Sequence, residues 1–226
     1  MHACCRGAIA AFATFAPGLA MNLNAEQLGR PPQQQFTAPP AGSYVLQVIG
    51  QAPQGQVLDS DGRAYSLDHF TKGKITLLSF IYTYCTDPIG CPLAFATFHT
   101  LRDRLLAIPD QARQVRFVSL SFDPINDTPE AMRRYAGKLA DGASPLRWSF
   151  LTTSSVDQLR PIIDDLGQSV EVQRDSKGRP SRFYNHMLKI FLFDARGRVR
   201  EIYSTAFLQP EVMWNDIRTL MLEQQR

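Results

Sequence analysis

With 226 residues, 44% of them hydrophobic and 20% charged, the chain is long enough for one well-buried domain plus tails and has an ordinary globular composition. A net charge of only +3, carried by scattered basic residues, argues against nucleic acid as the main partner, which would call for a concentrated stripe of Lys and Arg. Four cysteines in a chain of this length exclude a disulfide scaffold: Cys4 and Cys5 open the chain, while Cys85 and Cys91 form a local pair in its middle.

Residues 1–20 read as an export signal. Arg6 is the only charge before a small, apolar run from Ala8 to Ala16, and Pro17-Gly18-Leu19-Ala20 offers a cleavage point after Ala20. The run is too short to span a bilayer as a stable helix, and Cys4 lies too early to be a lipid-anchor site behind it. An irregular start with no targeting role is the alternative. Residues 21–42 form a linker, rich from Pro31 to Pro40 in proline and glutamine and too polar to pack. The domain is therefore placed at 43–226.

Val57-Leu58 and Ala64 to Leu67, separated by Ser60-Asp61-Gly62, predict a hairpin. Lys74 to Tyr82 is a near-continuous apolar run, as expected of a central strand covered on both faces. After the cysteine loop, Pro92 suits a helix's first turn, and Ala94, Phe98, Leu101, Leu105 and Ile108 give that helix an apolar face. Val115 to Phe122 predicts a second buried strand. Asp127-Thr128-Pro129-Glu130 reads as a helix start, with a capping residue, an early proline and an acid in the first turn. Trp148 to Leu151 is a short strand. Ser154 with Asp157 opens another helix, which Gly167 ends. Met187 to Phe193 is a third apolar strand, turned by Asp194 to Gly197 into Val199–Tyr203. A last helix from Pro210 presents Met213, Ile217 and Leu220. Strands alternating with helices predict an α/β domain: a thioredoxin-like fold with an N-terminal β-hairpin extension and a central mixed sheet flanked by helices.

Cys85 is placed at the carboxyl end of a strand and Cys91 at a helix N-terminus, the edge of an open α/β sheet where ligands bind. Free N–H groups and the helix dipole there stabilise a thiolate. Two such thiolates can exchange with a disulfide or hold a soft metal. Copper(I) favours sulfur and accepts imidazole as a third ligand. The Cys-x5-Cys spacing needs a turn of its own, supplied by Asp87-Pro88 and Gly90, and favours a chelate over a fast redox couple. Two idle structural thiols, or a plain disulfide, are the alternatives. His186, just before the third apolar strand, is the candidate third ligand. His69, in a short polar turn, and His99, at helical spacing after the cysteines, are weaker ones.

Phe80 to Cys85 with Cys91-Pro92-Leu93-Ala94, Ser119 to Glu130, and Asn185-His186 followed by Ile190 to Asp194 and Gly197 resemble, in order, three motifs of the SCO/SenC family of copper proteins. The likeness runs over about residues 45 to 225. The resemblance implies a thioredoxin fold, copper as Cu(I) or Cu(II) held by Cys85, Cys91 and His186, and a role in assembling the copper centre of cytochrome c oxidase. Asp87 is similar to an acidic position of the family's loop, or is a turn-forming Asp. Two departures stand out: the family usually has three residues between the cysteines, where here there are five, and Asn185 takes a position where Asp is common.

Two functional classes follow. One is a periplasmic metallochaperone that hands copper to an oxidase subunit, with loose membrane association and its thiols reduced for binding. The other is a thiol-disulfide reductase in which Cys85 and Cys91 are catalytic and His186 is dispensable. A peroxidase would need an activating cation beside its cysteine, and no basic residue lies between Tyr82 and Phe98. Structural zinc wants four ligands, and the sequence offers three good ones.

Overall fold

The computed structural model describes residues 37–85, 87, 90–140 and 142–225. The expected export signal and most of the linker lie outside these residues, as do Thr86, Pro88 and Ile89 of the cysteine loop.

The architecture is organised around one strand. β4 (Ile75–Ile81) buries every side chain, because it has a neighbour strand on each edge and helices over both faces. It runs parallel to β5 (Val115–Ser121), which runs parallel to β6 (Arg147–Leu151). On its other edge it pairs antiparallel with β9 (Lys189–Phe193), which pairs antiparallel with β10 (Arg198–Ser204), and β10 pairs with the short β1 (Gly50–Gln51). The six-stranded mixed sheet therefore has the order β1-β10-β9-β4-β5-β6. The expected N-terminal hairpin is β2 (Gln56–Leu58) with β3 (Ala64–Ser66).

Each face carries its own apolar layer. On one lie α2 (Gly90–Leu106), α4 (Pro129–Ala136) and α6 (Pro210–Gln224), through residues such as Leu93, Phe98, Met132, Met213 and Ile217. On the other lie α1 (Asp68–Thr71) and α5 (Val156–Asp165), through Phe70, Leu159 and Ile162, together with Val57 of β2. This is the thioredoxin-like α/β arrangement that the alternating pattern predicts.

Several local expectations shift. α2 stops at Leu106, so Ile108, expected on its apolar face, is 40% exposed at the start of α3 (Pro109–Ala112). Proline disfavours helical backbone in the residue before it, and Pro109 accordingly breaks the run at Ile108. α5 is capped by Ser155 rather than Ser154. Ser155 is the extended residue abutting the first helical turn, and its Oγ accepts from the Gln158 N–H at 3.2 Å. Gly167 does end that helix, with a φ of +59° that favours glycine. The apolar strand expected from Met187 begins at Lys189.

A second hairpin, β7 (Val170–Arg174) with β8 (Pro180–His186), stands outside the main sheet. None of its residues is fully buried and most are polar, so no sustained apolar alternation announces the strands. Pro39 to Gly42, which composition groups with the linker, touches α6. Asn215 Nδ2 donates to the Pro39 carbonyl at 2.9 Å, and Gly42 N donates to Thr219 Oγ1 at 2.9 Å.

Thr128 caps α4, its Oγ1 accepting from Ala131 N at 3.3 Å. Thr128→Ala is expected to cost about 1 kcal/mol and lower Tm by about 2–4 °C in a thermal melt.

Candidate metal centre

β4 ends at Ile81, and Tyr82 to Cys85 leave the sheet in a turn closed by Cys85 N donating to the Tyr82 carbonyl at 3.2 Å. The chain comes back as α2, with Cys91 buried in its first turn beside Pro92. The third element is the β7–β8 hairpin, which ends on His186 in register with Val170. The sulfurs of Cys85 and Cys91 and a ring nitrogen of His186 all lie within 4.8 Å of one another. The five-residue spacer thus brings the two sulfurs together. Among the described residues no other group of His, Cys, Asp and Glu is gathered for a metal. Both cysteines are free thiols.

The buried surroundings fix the three groups in place. Gln168, itself buried, donates from Nε2 to the Met187 carbonyl at 3.0 Å and so pins the backbone just after His186. The His186 ring lies 4.7 Å from Phe122 and 6.0 Å from Tyr82, and Tyr184 packs on both of those rings. Arg182 sits 4.7 Å over the Tyr84 ring, a cation–π contact that joins the hairpin to the cysteine loop. Tyr84 in turn donates to Asp123.

Below the loop, fully buried Asp127 accepts from Thr83 N at 3.1 Å, Thr83 Oγ1 at 2.6 Å and Ser121 Oγ at 2.5 Å. Burial pushes its carboxyl pKa up, and these donors oppose the rise. Asp127 therefore ties the turn before Cys85 to the strand end of β5.

Asp87 is exposed, and its Oδ2 approaches Gly90 so closely that a Cβ there would come within 2.6 Å.

The thiols differ sharply. A hydrogen bond from the Cys91 thiol, aided by His186, Tyr82 and the Asp87 backbone, holds the Cys85 thiol down to about 4 against the opposing effect of burial. Cys91, which donates that bond and is the more buried, is pushed up. The low-pKa thiolate therefore sits on the loop before the helix. The sequence argument gives the helix start the thiolate. The structure reverses this because two adjacent sulfurs share one proton, and the better-solvated one gives it up.

The weaker histidine candidates lie elsewhere. His69, in α1, stacks on Tyr65 at 4.9 Å, and His99, on α2, packs against Phe95 and Trp148. Tyr82, Phe122, Gln168 and Asp127 all shape the centre, although the sequence places none of them at it as a site residue. The Asp-rich Ser119 to Glu130 segment was the signal for Asp127, whereas nothing local marks Gln168.

Strand end, helix start and hairpin together define a thioredoxin-like domain with two thiols and one imidazole converging on its ligand edge, a donor set matched to a soft metal. The SCO1/SenC family model matches residues 53–222, and the chain belongs to that family. It is 33% identical over 104 residues to the SCO1 protein homolog of Bacillus subtilis (strain 168), covering 45% of this chain and 48% of that one, so the match spans about half the relative's length. Among solved structures it resembles copper-bound ScoI of Bradyrhizobium japonicum, with TM-score 0.58 and 24% identity over 75% of this chain and 98% of that chain. It also resembles BsSco, described as a member of the Sco family of cytochrome c oxidase assembly proteins with a disulfide switch, with TM-score 0.57 and 21% identity over 78% of this chain and 98% of that chain.

The thiol asymmetry predicts that iodoacetamide at pH 6 modifies Cys85 at least tenfold faster than Cys91, read by peptide mass mapping, because only a thiolate attacks. Equal rates would contradict the shared-proton picture. Asp127→Ala is expected to cost about 2–3 kcal/mol in urea unfolding, since it strands buried donors, and to speed amide exchange at Thr83.

Proposed function

We propose that the protein is an exported copper metallochaperone: Cys85, Cys91 and His186 take up one copper ion and pass it by ligand exchange to the copper-accepting subunit of cytochrome c oxidase. The observation that carries this reading is the convergence of two sulfurs and an imidazole nitrogen within 4.8 Å. Soft thiolates select copper(I), and a two-sulfur, one-nitrogen set leaves an open side for an incoming ligand of the recipient. Family membership and the likeness to a copper-bound ScoI support it.

The residues divide the work. Cys85 arrives already deprotonated, so capture requires release of a proton only from Cys91. Phe122 and Tyr82 hold the His186 ring edge-on or tilted against them, which fixes the direction of its nitrogens. His186 and Asp87 line one open cavity of about 340 Å³ with Tyr82, Phe183 and Asn185, which leaves the imidazole side of the centre open to a partner chain. Copper is the cargo here, bound and released rather than used in a reaction.

Export rests on the signal-like residues 1–20 and suits a periplasmic site of action. Among the described residues no helix is long and apolar enough to cross a membrane.

The same geometry favours a second reading, a thiol-disulfide reductase. A thiolate at Cys85 beside a protonated Cys91 is the pairing that attacks a disulfide and then resolves the mixed intermediate. The two readings separate at His186.

The test is an anaerobic copper(I) titration of the reduced protein against a competing chelator, with wild type and His186→Ala side by side. The chaperone reading expects one tight copper per chain and a loss of about 100-fold or more in affinity on removing His186, at or beyond the range seen for outer-shell changes. Disulfide exchange with a model substrate should be spared by the same variant. Copper affinity indifferent to His186 would overturn the three-ligand centre and leave the reductase.

A further inference from the structure

The end of the sheet opposite Cys85 carries charge that the copper chemistry does not use. Lys74 stands just before β4, Arg116 is the second residue of β5, and Arg147 opens β6. Thr76 is the register partner of Arg116, and Arg116 is the register partner of Arg147. Lys74 is two residues before Thr76. Side chains alternate along a strand, so all three cations project from one face at one margin of the sheet. One step further in from Arg116, Leu78 and Val118 of that face are buried in the second apolar layer, and Leu151 follows two steps in from Arg147.

Like charges in register on adjacent strands repel, and among the described residues no carboxylate forms an ion pair with any of the three. Among the described residues, Asp59 and Asp61, the acids that line the same cavity, are engaged otherwise. Asp61 pairs with Arg63 at 3.7 Å and with Arg133 at 3.2 Å, and Asp59 accepts the backbone N–H groups of Asp61 and Arg63 at 2.9 Å. Arg116 makes one side-chain hydrogen bond, to the His69 carbonyl at 2.7 Å. Burial, then the charges of Arg116 and Arg147, push the Lys74 pKa down, and burial does the same to Arg116. The three side chains border a cavity of about 500 Å³, walled on one side by the stacked Tyr65 and His69 rings.

Leu46 is tied to the turn that lies beside the start of β4. β9 runs antiparallel to β4, which puts the turn after Phe193 beside the start of β4. Gly73 N donates to the Ala195 carbonyl there at 2.9 Å. Arg200 bonds both Asp194 of that turn and the Leu46 carbonyl.

We propose that Lys74, Arg116 and Arg147 bind a phosphate group, carried by an anionic phospholipid headgroup or free in solution, at the end of the sheet opposite the metal centre. Two guanidinium forks and an ammonium match the several acceptor oxygens and negative charge of a phosphate, and its arrival relieves their mutual repulsion. β4 separates this site from Cys85 by about 20 Å, at about 3.3 Å per residue. A headgroup held here leaves the copper site facing away from the bilayer, toward a partner.

The full-length protein would be tested against two probes: inorganic phosphate by calorimetry, and sedimentation with vesicles of phosphatidylcholine containing 30% phosphatidylglycerol. Arg147→Gln, at an exposed position, is compared with wild type and with Lys177→Gln, an exposed control on the β7–β8 turn. Arg116→Gln is added with its fold checked by circular dichroism. A headgroup site predicts vesicle partitioning weakened about fivefold by Arg147→Gln and unaffected by Lys177→Gln, from roughly 1 kcal/mol per basic residue at an anionic surface. A site for free phosphate predicts saturable binding of inorganic phosphate, lost in Arg147→Gln. Absence of binding to both probes overturns the proposal, as does equal weakening by Arg147→Gln and Lys177→Gln.

Discussion

The complete burial of β4 is the constraint on which the rest depends. Seven successive apolar or small residues can be dry on both faces only if strands flank both edges and helices cover both sides. β5 and β9 meet the first need, and the two apolar layers meet the second. Once that strand is fixed, both of its ends become special. Its carboxyl end must release the chain at the sheet's edge, where Tyr82 to Cys85 turn away. Its amino end leaves Lys74 at the opposite margin, beside α1, where Arg116 bonds the His69 carbonyl.

Backbone that leaves a buried strand carries N–H groups that need partners. Asp127 supplies them to the cysteine loop. Its carboxylate is fully buried, and among the described residues it meets no cation, only the Thr83 and Ser121 hydroxyls and a backbone N–H. Placing such a group inside is costly unless every oxygen is satisfied. The arrangement therefore locks the loop to β5 and makes the position of Cys85 as firm as the core beneath it. Tyr84 with Asp123, and Arg182 over Tyr84, extend the same locking outward to the hairpin that brings His186.

The centre's chemistry then follows from proximity. Two thiols in contact do not titrate independently, and the one with more donors around it holds the charge. That makes Cys85 ready both to bind a soft cation and to attack a disulfide. The imidazole separates these uses, because metal chelation gains from a third donor and disulfide exchange does not. On the chaperone reading, copper capture and thiol oxidation would compete for the same two sulfurs, which would link metal occupancy to redox state.

By itself the sequence determined the alternation of strands and helices, the central strand and the place of Cys85 and Cys91 at the ligand edge, and it singled out His186 as the candidate third donor. These are legible because apolar periodicity and turn chemistry are local and the ordered motifs are specific. The tertiary structure alone decided the β7–β8 hairpin, whose strands carry no sustained apolar period, and with it the route that brings His186 to the cysteines across about 100 residues of chain. It also decided which thiol is charged, the roles of Asp127 and Gln168, and the gathering of Lys74, Arg116 and Arg147. Those residues are far apart in sequence, and their meaning lies in strand register and burial, which no local pattern encodes.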